Sequence, residues 1–545
     1  MGNFSKKIVS KINIWYVVFS ALFASMLIAS RHVFYDHNAV ATIKNIYVSD
    51  FHFLDVISLL LFTPMIYIGL EVITFFLKSS ETVFFQKKRK PNIGIWIGFF
   101  LFLMVVWLPY LPSYWPGGIY SDTVDSINMA LGKKEWDNHN PLLYTLIWRF
   151  MFWVTGAFQG AGEYGGLKLF TVVQTSALAL TLSGFWYWCY KKGIHKAVII
   201  LGLLIMGMYP LYPFYGISLW KDTPFSIVLF LLSVFLYQLF EKEKKDISLK
   251  NLGWYSFLTG LVIFLRNNGI YIAVFYSVII TLYCWKKKKQ LAKKIGLASL
   301  VIIMTARIIQ GPVYDSLGYN IDTSKESMGI PMQQVAYILA TEGEVLEEKL
   351  AVLEYIMPLE NWITLYNPVV VDTIKFDPSF NQEYFEKHSG EFFKVYVSMV
   401  MRNPIKAAKA YLLETMGFWD ISKSSSTAYI CNFHFGNAEY FMSDYFDYYL
   451  DISFRKYVEP KNYLSAALFA WFMLGTGFLC LAKKNIRGII CILPTLGLWL
   501  SIMVAVPVAF SFRYIYSLFL CVPLYLIVCV ESFHKPKIES IKHIE

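Results

Sequence analysis

Residues 115–144, WPGGIYSDTVDSINMALGKKEWDNHNPLLY, decide how the whole chain is read. The apolar run 94–111 before them is long enough to cross a bilayer. The stretch opens on a Pro-Gly-Gly turn and sets Asp122 and Asp125 three residues apart, a spacing that places both carboxylates on one helical face just outside the apolar run. A charged patch follows (Lys133, Lys134, Glu135, Asp137), then His139-Asn140-Pro141, and a new apolar helix starts at Leu142. Carboxylates in a polar loop at the mouth of a membrane helix suit acid–base chemistry. The plainer reading, equally open at this point, is a solvated loop whose aspartates cap a short helix.

Composition demands a membrane. The 545 residues are 56% hydrophobic and 18% aromatic, with only 16% charged. A net charge of +11 invites a nucleic-acid partner, but the basic residues fall in short clusters at the ends of apolar runs, which is the positive-inside pattern. The charge therefore reports orientation, and no nucleic-acid partner is expected. Six of the seven cysteines sit in or beside apolar runs and only Cys431 lies in a long polar region, so no disulfide framework is expected. The nine histidines form no HExxH-like pair, and no metal site is assigned. Lys6, Lys7 and Lys11 precede the run 14–29 as in a signal peptide, but further spans follow, so it reads as a retained first span.

The expected fold is an all-α polytopic membrane protein of about twelve spans, near 13–30, 54–77, 94–111, 167–189, 196–211, 223–240, 252–265, 269–285, 294–311, 462–482, 487–506 and 514–531. Segment 141–158 is apolar but carries Arg149 in its middle. Seven basic clusters decide its placement: Lys6/Lys7/Lys11, 87–90, Lys191/Lys192/Lys196, 242–245, 286–289, Lys483/Lys484/Arg487 and Lys535/Lys537. All seven face the cytoplasm only if 141–158 lies along the outer surface or dips in and returns. Both termini are then cytoplasmic, and the candidate polar residues collect on the outer face. The domain reading is a two-span extension (1–93), a transmembrane core (94–311) with its first outer loop at 112–166, an extracytoplasmic, mainly helical insertion (312–461), and a three-span C-terminal segment with a cytoplasmic tail (462–545). Helical-looking stretches in the insertion include 344–353 and 404–415, and aromatics such as Trp362, Phe418, Trp419 and the run 440–449 read as core or headgroup-belt residues before sugar platforms.

Each polar constellation has two readings. Lys221-Asp222 precedes a span, so Asp222 serves as a helix cap, or Lys221 meets a phosphate. Arg266-Asn267-Asn268-Gly269 interrupts an apolar stretch; a turn explains the last three residues but not the arginine. Set deep in the bilayer, such a charge costs about 2.5–3.5 kcal/mol. Arg266 and Arg513, each beside a span with no acidic neighbour in sequence to neutralise it, look like anion ligands. The segment from Glu326 to Gln334 is a plain loop or the lining of a cleft.

Taken together these residues resemble the GT-C superfamily of membrane glycosyltransferases, which includes protein O-mannosyltransferases and aminoarabinose transferases, and within it a bacterial branch. The matching features are the early acidic residue in Ser121-Asp122, the turn His139-Asn140-Pro141 opening a surface helix, Lys221-Asp222, Arg266-x-Asn268-Gly269, Glu326 with Pro331-x-Gln333-Gln334, and Arg513-Tyr514 before the last span. The resemblance runs from about residue 94 onward and leaves out the first two spans and much of 335–461. A common His-Pro-Pro is replaced here by His139-Asn140-Pro141, and an Asp-Glu pair by Asp122-Thr123 with Asp125 following.

The resemblance implies an inverting transfer of a hexose or pentose from a polyprenyl-phosphate donor to a lipid, glycan or protein acceptor, at the outer face of a bacterial plasma membrane. Asp122 would be the base, with Asp125 beside it. His139, Lys221, Asp222, Arg266, Asn268, Glu326, Gln333, Gln334, Arg513 and Tyr514 would bind substrate. No cofactor is implied, and a divalent cation is left open. A transporter or flippase of lipid-linked envelope precursors, a lipid-linked glycan polymerase or ligase, and a non-catalytic envelope partner are the competing readings.

Overall fold

The computed structural model describes residues 12–36, 41–160, 162–241, 246–319, 324–423, 445–451, 464–505 and 508–533. The basic clusters Lys6/Lys7/Lys11, 242–245 and Lys535/Lys537, Cys431, and the 440–444 part of the aromatic run lie outside these residues.

The protein is a multi-pass helical membrane protein. Among the described residues, ten helices are long and apolar enough to cross a bilayer: Ile14–His32, Phe53–Ser79, Ile93–Ser113, Tyr164–Lys192, Asp222–Leu239, Gly269–Lys287, Lys289–Ser316, Ala466–Lys483, Ile486–Val504 and Phe512–Glu531. The pair Lys196–Met208 and Leu211–Ile217, bent by 52° at its break, forms a broken span or a re-entrant loop. The expected twelfth span is the helix Leu249–Phe264, whose 16 residues fall short of this length. Leu142–Val154, which carries Arg149, has 13 residues, or about 20 Å, too short for a hydrocarbon core of about 30 Å.

Three of the described basic clusters, those at 87–90, Lys191/Lys192 and around Arg487, lie at one end of the bundle. Lys192 pairs with Glu241 at 2.7 Å and Arg487 with Glu531 at 2.9 Å, and the backbone N–H of Gln86 donates to Gly193 at 2.7 Å. Clusters that are far apart in sequence thus share a surface.

At the other end sits the 324–419 domain, built on its own core around Met332, Leu353, Trp362, Phe385, Phe392 and Leu413. The helix Pro404–Thr415 forms as its periodicity predicts, and the expected 344–353 helix forms as Glu347–Ile356. Trp362, Phe418 and Trp419 are buried, as packing residues are, whereas Tyr448 and Tyr449 are exposed. Two segments from outside the insertion join this core. One is an antiparallel hairpin, Val33–Tyr35 with Ile46–Val48 in register Val33↔Val48, so the fold is mostly but not wholly helical. The other is Ala509 with Phe510. The bundle holds the domain from below: Trp499 Nε1 donates to Phe418 O (3.1 Å), Trp471 Nε1 to Trp419 O (2.7 Å) and Tyr411 OH to Met503 O (3.0 Å). These bonds satisfy carbonyls that burial would otherwise strand.

Candidate functional site

The loop opening at Trp115 and the loop from Tyr209 to Lys221 are welded into one unit. Gly118 N–H donates to Ile217 O at 2.9 Å, and Leu219 N–H returns to Gly118 O at 2.8 Å. Gly117, at φ +135°, lets this approach happen: a Cβ there would stand 2.4 Å from Thr171 Oγ1. Gln174 Nε2 reaches from a spanning helix to Gly216 O (2.9 Å) and Ser218 O (2.7 Å). Thr123 Oγ1 and Tyr144 OH both donate to Leu219 O. Tyr120 stacks on Trp220, with ring centroids 3.6 Å apart. This weld carries Asp122, in the first turn of helix Ser121–Leu131, to Lys221, at the mouth of helix Asp222–Leu239.

Asp122 is the hub. Its Oδ2 lies 3.2 Å from Lys221 Nζ and 3.2 Å from Arg513 Nη1. Lys221 Nζ also donates to Asn140 Oδ1, and Asn140 Nδ2 donates to the Asp122 carbonyl at 3.2 Å. Arg513 Nη2 donates to Tyr514 OH (3.2 Å), and its guanidinium lies 5.2 Å from the Trp220 ring centre and 5.0 Å from that of Tyr514. Lys221 above all, then Arg513 and His139, hold the Asp122 carboxyl well below the usual carboxylate range, against the opposing push of burial. The N-cap position of this helix is Tyr120, and the first-turn carboxylate of Asp122 is turned to the cations.

A second pair lies behind Tyr514. Arg266 Nη1 meets Asp222 Oδ1 at 2.9 Å, with side-chain exposures of 14% and 2%. The Arg266 guanidinium lies 5.3 Å from the Tyr514 ring centre, so both arginines rest against this ring. The sequence shows no acidic neighbour for Arg266 and leaves Asp222 as a helix cap or a substrate ligand; in the structure each neutralises the other across two helices, and Lys221 takes the cap position. Asn267 Nδ2 donates to the carbonyls of Asn138 (3.2 Å) and His139 (3.0 Å), Asn268 Nδ2 to Ser501 Oγ (2.9 Å). Gly269 is held so close to the preceding helix that a Cβ would stand 2.0 Å from Val262 O. The Arg-Asn-Asn-Gly break is thus a junction, each residue tying a different neighbour.

Other expected site residues are engaged elsewhere. Asp125 faces Lys134 (3.3 Å), which also pairs with Asp137 (3.2 Å), on a solvated face away from Lys221 and Arg513. In the 324–419 domain, Gln333 Nε2 donates to Asn367 O (2.7 Å); Gln334 Nε2 donates to Ala407 O (2.9 Å) and its Oε1 accepts from Tyr396 OH (2.8 Å). Both glutamines are buried in that domain's packing. Glu326 pairs with the buried Lys375 at 3.0 Å.

Sequence reasoning missed three contributors. Asn140 bridges Lys221 and the Asp122 backbone from the place where the resemblance shows a departure. Trp220 gives Arg513 a ring to rest against. Asp372 arrives from the 324–419 domain, because a bridge between Val370 and Val508 and a bond from Ala509 N–H to Val369 O (2.9 Å) pin its loop beside the loop leading to Arg513. Burial raises the Asp372 carboxyl, which feels Lys375, Glu326, Arg513 and Asp122. No local signal marks it.

Beside the hub runs a groove of about 600 Å³, lined by Leu142, Leu146, Arg149, Phe264, Tyr314 and Leu317 among others. Its wall residues Leu142 and Phe264 are two positions from Asn140 and Arg266. Among the described residues, no three His, Cys, Asp or Glu side chains come together in a way that could hold a metal ion.

Residues 133–542 match a family described as a family of unknown function (DUF6020), and the chain belongs to that family. No curated protein and no solved structure matches it.

Proposed function

We propose that this DUF6020 member is an inverting glycosyltransferase with a GT-C-like core, moving a sugar from a polyprenyl-phosphate donor to a hydroxyl acceptor. The observation that carries the reading is the convergence of Lys221 and Arg513, from two separate helix mouths, on one carboxylate beside an apolar groove. Two cations at such a mouth suit a phosphate, and Arg513 adds a planar fork. The groove suits an isoprenoid chain. Asp122 accepts the acceptor's hydroxyl proton while that oxygen attacks the anomeric carbon from the face opposite the phosphate. The bond from carbon to phosphate oxygen breaks, its electron pair stays on the phosphate, and Lys221 and Arg513 stabilise the charge. A transporter would favour charges near the bilayer midplane, whereas these gather at a helix mouth.

The test is cleavage of the donor. Purified protein in nanodiscs, given radiolabelled polyprenyl-phosphate hexose or pentose and envelope extract, should release free polyprenyl phosphate and label an acceptor. Movement of intact donor across proteoliposomes without cleavage would establish the transporter instead. Arg513→Ala and Lys221→Met should each weaken binding of undecaprenyl phosphate by about 1.5–3 kcal/mol, the range for a hydrogen bond to a charged group. Arg513→Lys should recover only part, since it keeps the charge and loses the fork. Unchanged affinity in both would remove the phosphate from this site.

The proposed orientation puts the hub and the 324–419 domain outside, and both termini inside. The six described cysteines are buried, which keeps background labelling low. In a cysteine-free variant, a cysteine at exposed Glu348 should react with an impermeant maleimide on intact cells, and one at exposed Ser248 should not. Reaction at Ser248 but not at Glu348 would invert the molecule.

A further inference from the structure

We infer that Asp122 fills the donor's phosphate position in the resting enzyme and is evicted by it, so that the base becomes competent only once the donor has bound. The inference rests on the phosphate reading of Lys221 and Arg513 above. Both cations point at the same oxygen, Asp122 Oδ2, each at 3.2 Å. A phosphate oxygen seated between them would occupy the ground that oxygen holds. Two anions cannot share it without strong like-charge repulsion. The remaining contacts allow the exchange. Asn140 holds Asp122 through its backbone carbonyl, not its carboxylate, so the helix can stay anchored while the side chain turns. Asp122 keeps 27% side-chain exposure, and helix Ser121–Leu131 is fixed by Thr123, one residue on, through its bond to Leu219. Lys221 is also held by Asn140 Oδ1 and Arg513 by Tyr514 OH, so the cations keep their places when the carboxylate leaves.

The chemical consequence is a change in basicity. With both cations on Asp122 its carboxyl is held far down, and such a carboxylate is a weak base. When a phosphate takes the cations, the largest influence holding it down is shared out and the nearby negative charge favours the protonated form. The carboxylate then gains affinity for a proton when the sugar carbon is in place. Substrate binding is ordered, donor before acceptor, and the empty site does not activate hydroxyls.

This predicts an effect opposite in sign to the loss of a binding residue. Undecaprenyl phosphate alone is the probe, titrated against the full-length protein in nanodiscs. Asp122→Asn, which removes the internal anion, should bind it about tenfold or more tightly than wild type, equivalent to about 1.4 kcal/mol. Asp122→Ser should do the same if the asparagine variant fails to fold, and Asp122→Glu should stay near wild type. Asp125→Asn, whose carboxylate faces Lys134, controls for total charge and should bind as wild type does. Equal or weaker binding by both neutral Asp122 variants overturns the eviction, as does equal tightening in Asp125→Asn. Those outcomes leave the phosphate reading standing. Absence of binding by wild type and every variant sinks that reading and the inference with it.

Discussion

Asp122→Asn should insert and fold with its helices intact yet lose about 10²–10⁴-fold in turnover, the range for removing a general base. Asparagine caps a helix as well as aspartate, so a capping role would have left the variant active. The structure argues against that alternative, because Tyr120 holds the cap position and the Asp122 carboxylate is held by Lys221 and Arg513. The two ion pairs are partly exposed, and their loss should cost little stability. From the sequence alone, donor affinity is expected to be unchanged in this variant. The shared oxygen corrects that: affinity should rise while turnover falls, a split that misfolding cannot produce. Asp125→Asn should stay within a few-fold of wild type, since its partner Lys134 sits on a solvated face. Turnover of Asp122→Asn close to wild type, with Asp372→Asn inactive, would move the base to the 324–419 domain.

Arg266→Ala should be the most destabilising single change among the site residues, by about 3–5 kcal/mol, because it leaves a buried carboxylate without its partner. Asp222 is 2% exposed, and its second oxygen, Oδ2, has no hydrogen-bond partner among the described residues, so the 2.9 Å bond to Arg266 is its main compensation. The loss should appear as a lower thermal midpoint in detergent. The double variant Arg266→Leu/Asp222→Leu should recover most of it, since a buried ion pair can often be replaced by apolar residues. A single variant as stable as wild type would return Arg266 to the role of a free anion ligand. Arg513 differs: its carboxylate partner is half-exposed and exchangeable, so Arg513→Ala should mainly affect ligand binding.

Much of the frame was legible because spans are local. A run of about 20 apolar residues must be helical in lipid, whatever surrounds it. The clusters at 87–90, Lys191/Lys192 and around Arg487 were read as one-sided, and their contacts gather them at one end. The count was less legible: Leu249–Phe264 is a short helix, and 196–217 is broken at Tyr209-Pro210. The hairpin that joins the N-terminal segment to the core of the 324–419 domain carries no signal beyond two three-residue strands.

The sequence by itself determined that the chain is a multi-pass helical membrane protein, and it singled out Asp122, Lys221, Arg266 and Arg513 as charges out of place at span ends. Charge beside an apolar run is a one-dimensional fact, so it can be read along the chain. Which carboxylate answers which cation was decided by tertiary structure alone. Arg513 and Asp122 are 391 positions apart, and Arg266 and Asp222 are 44. Coulomb energy falls with distance in space and takes no account of distance in sequence. Packing of the loop weld, the Tyr514 ring and the Val370–Val508 bridge therefore chose between a free anion ligand and a buried ion pair, and brought Asp372 to a site that its own sequence neighbourhood does not announce.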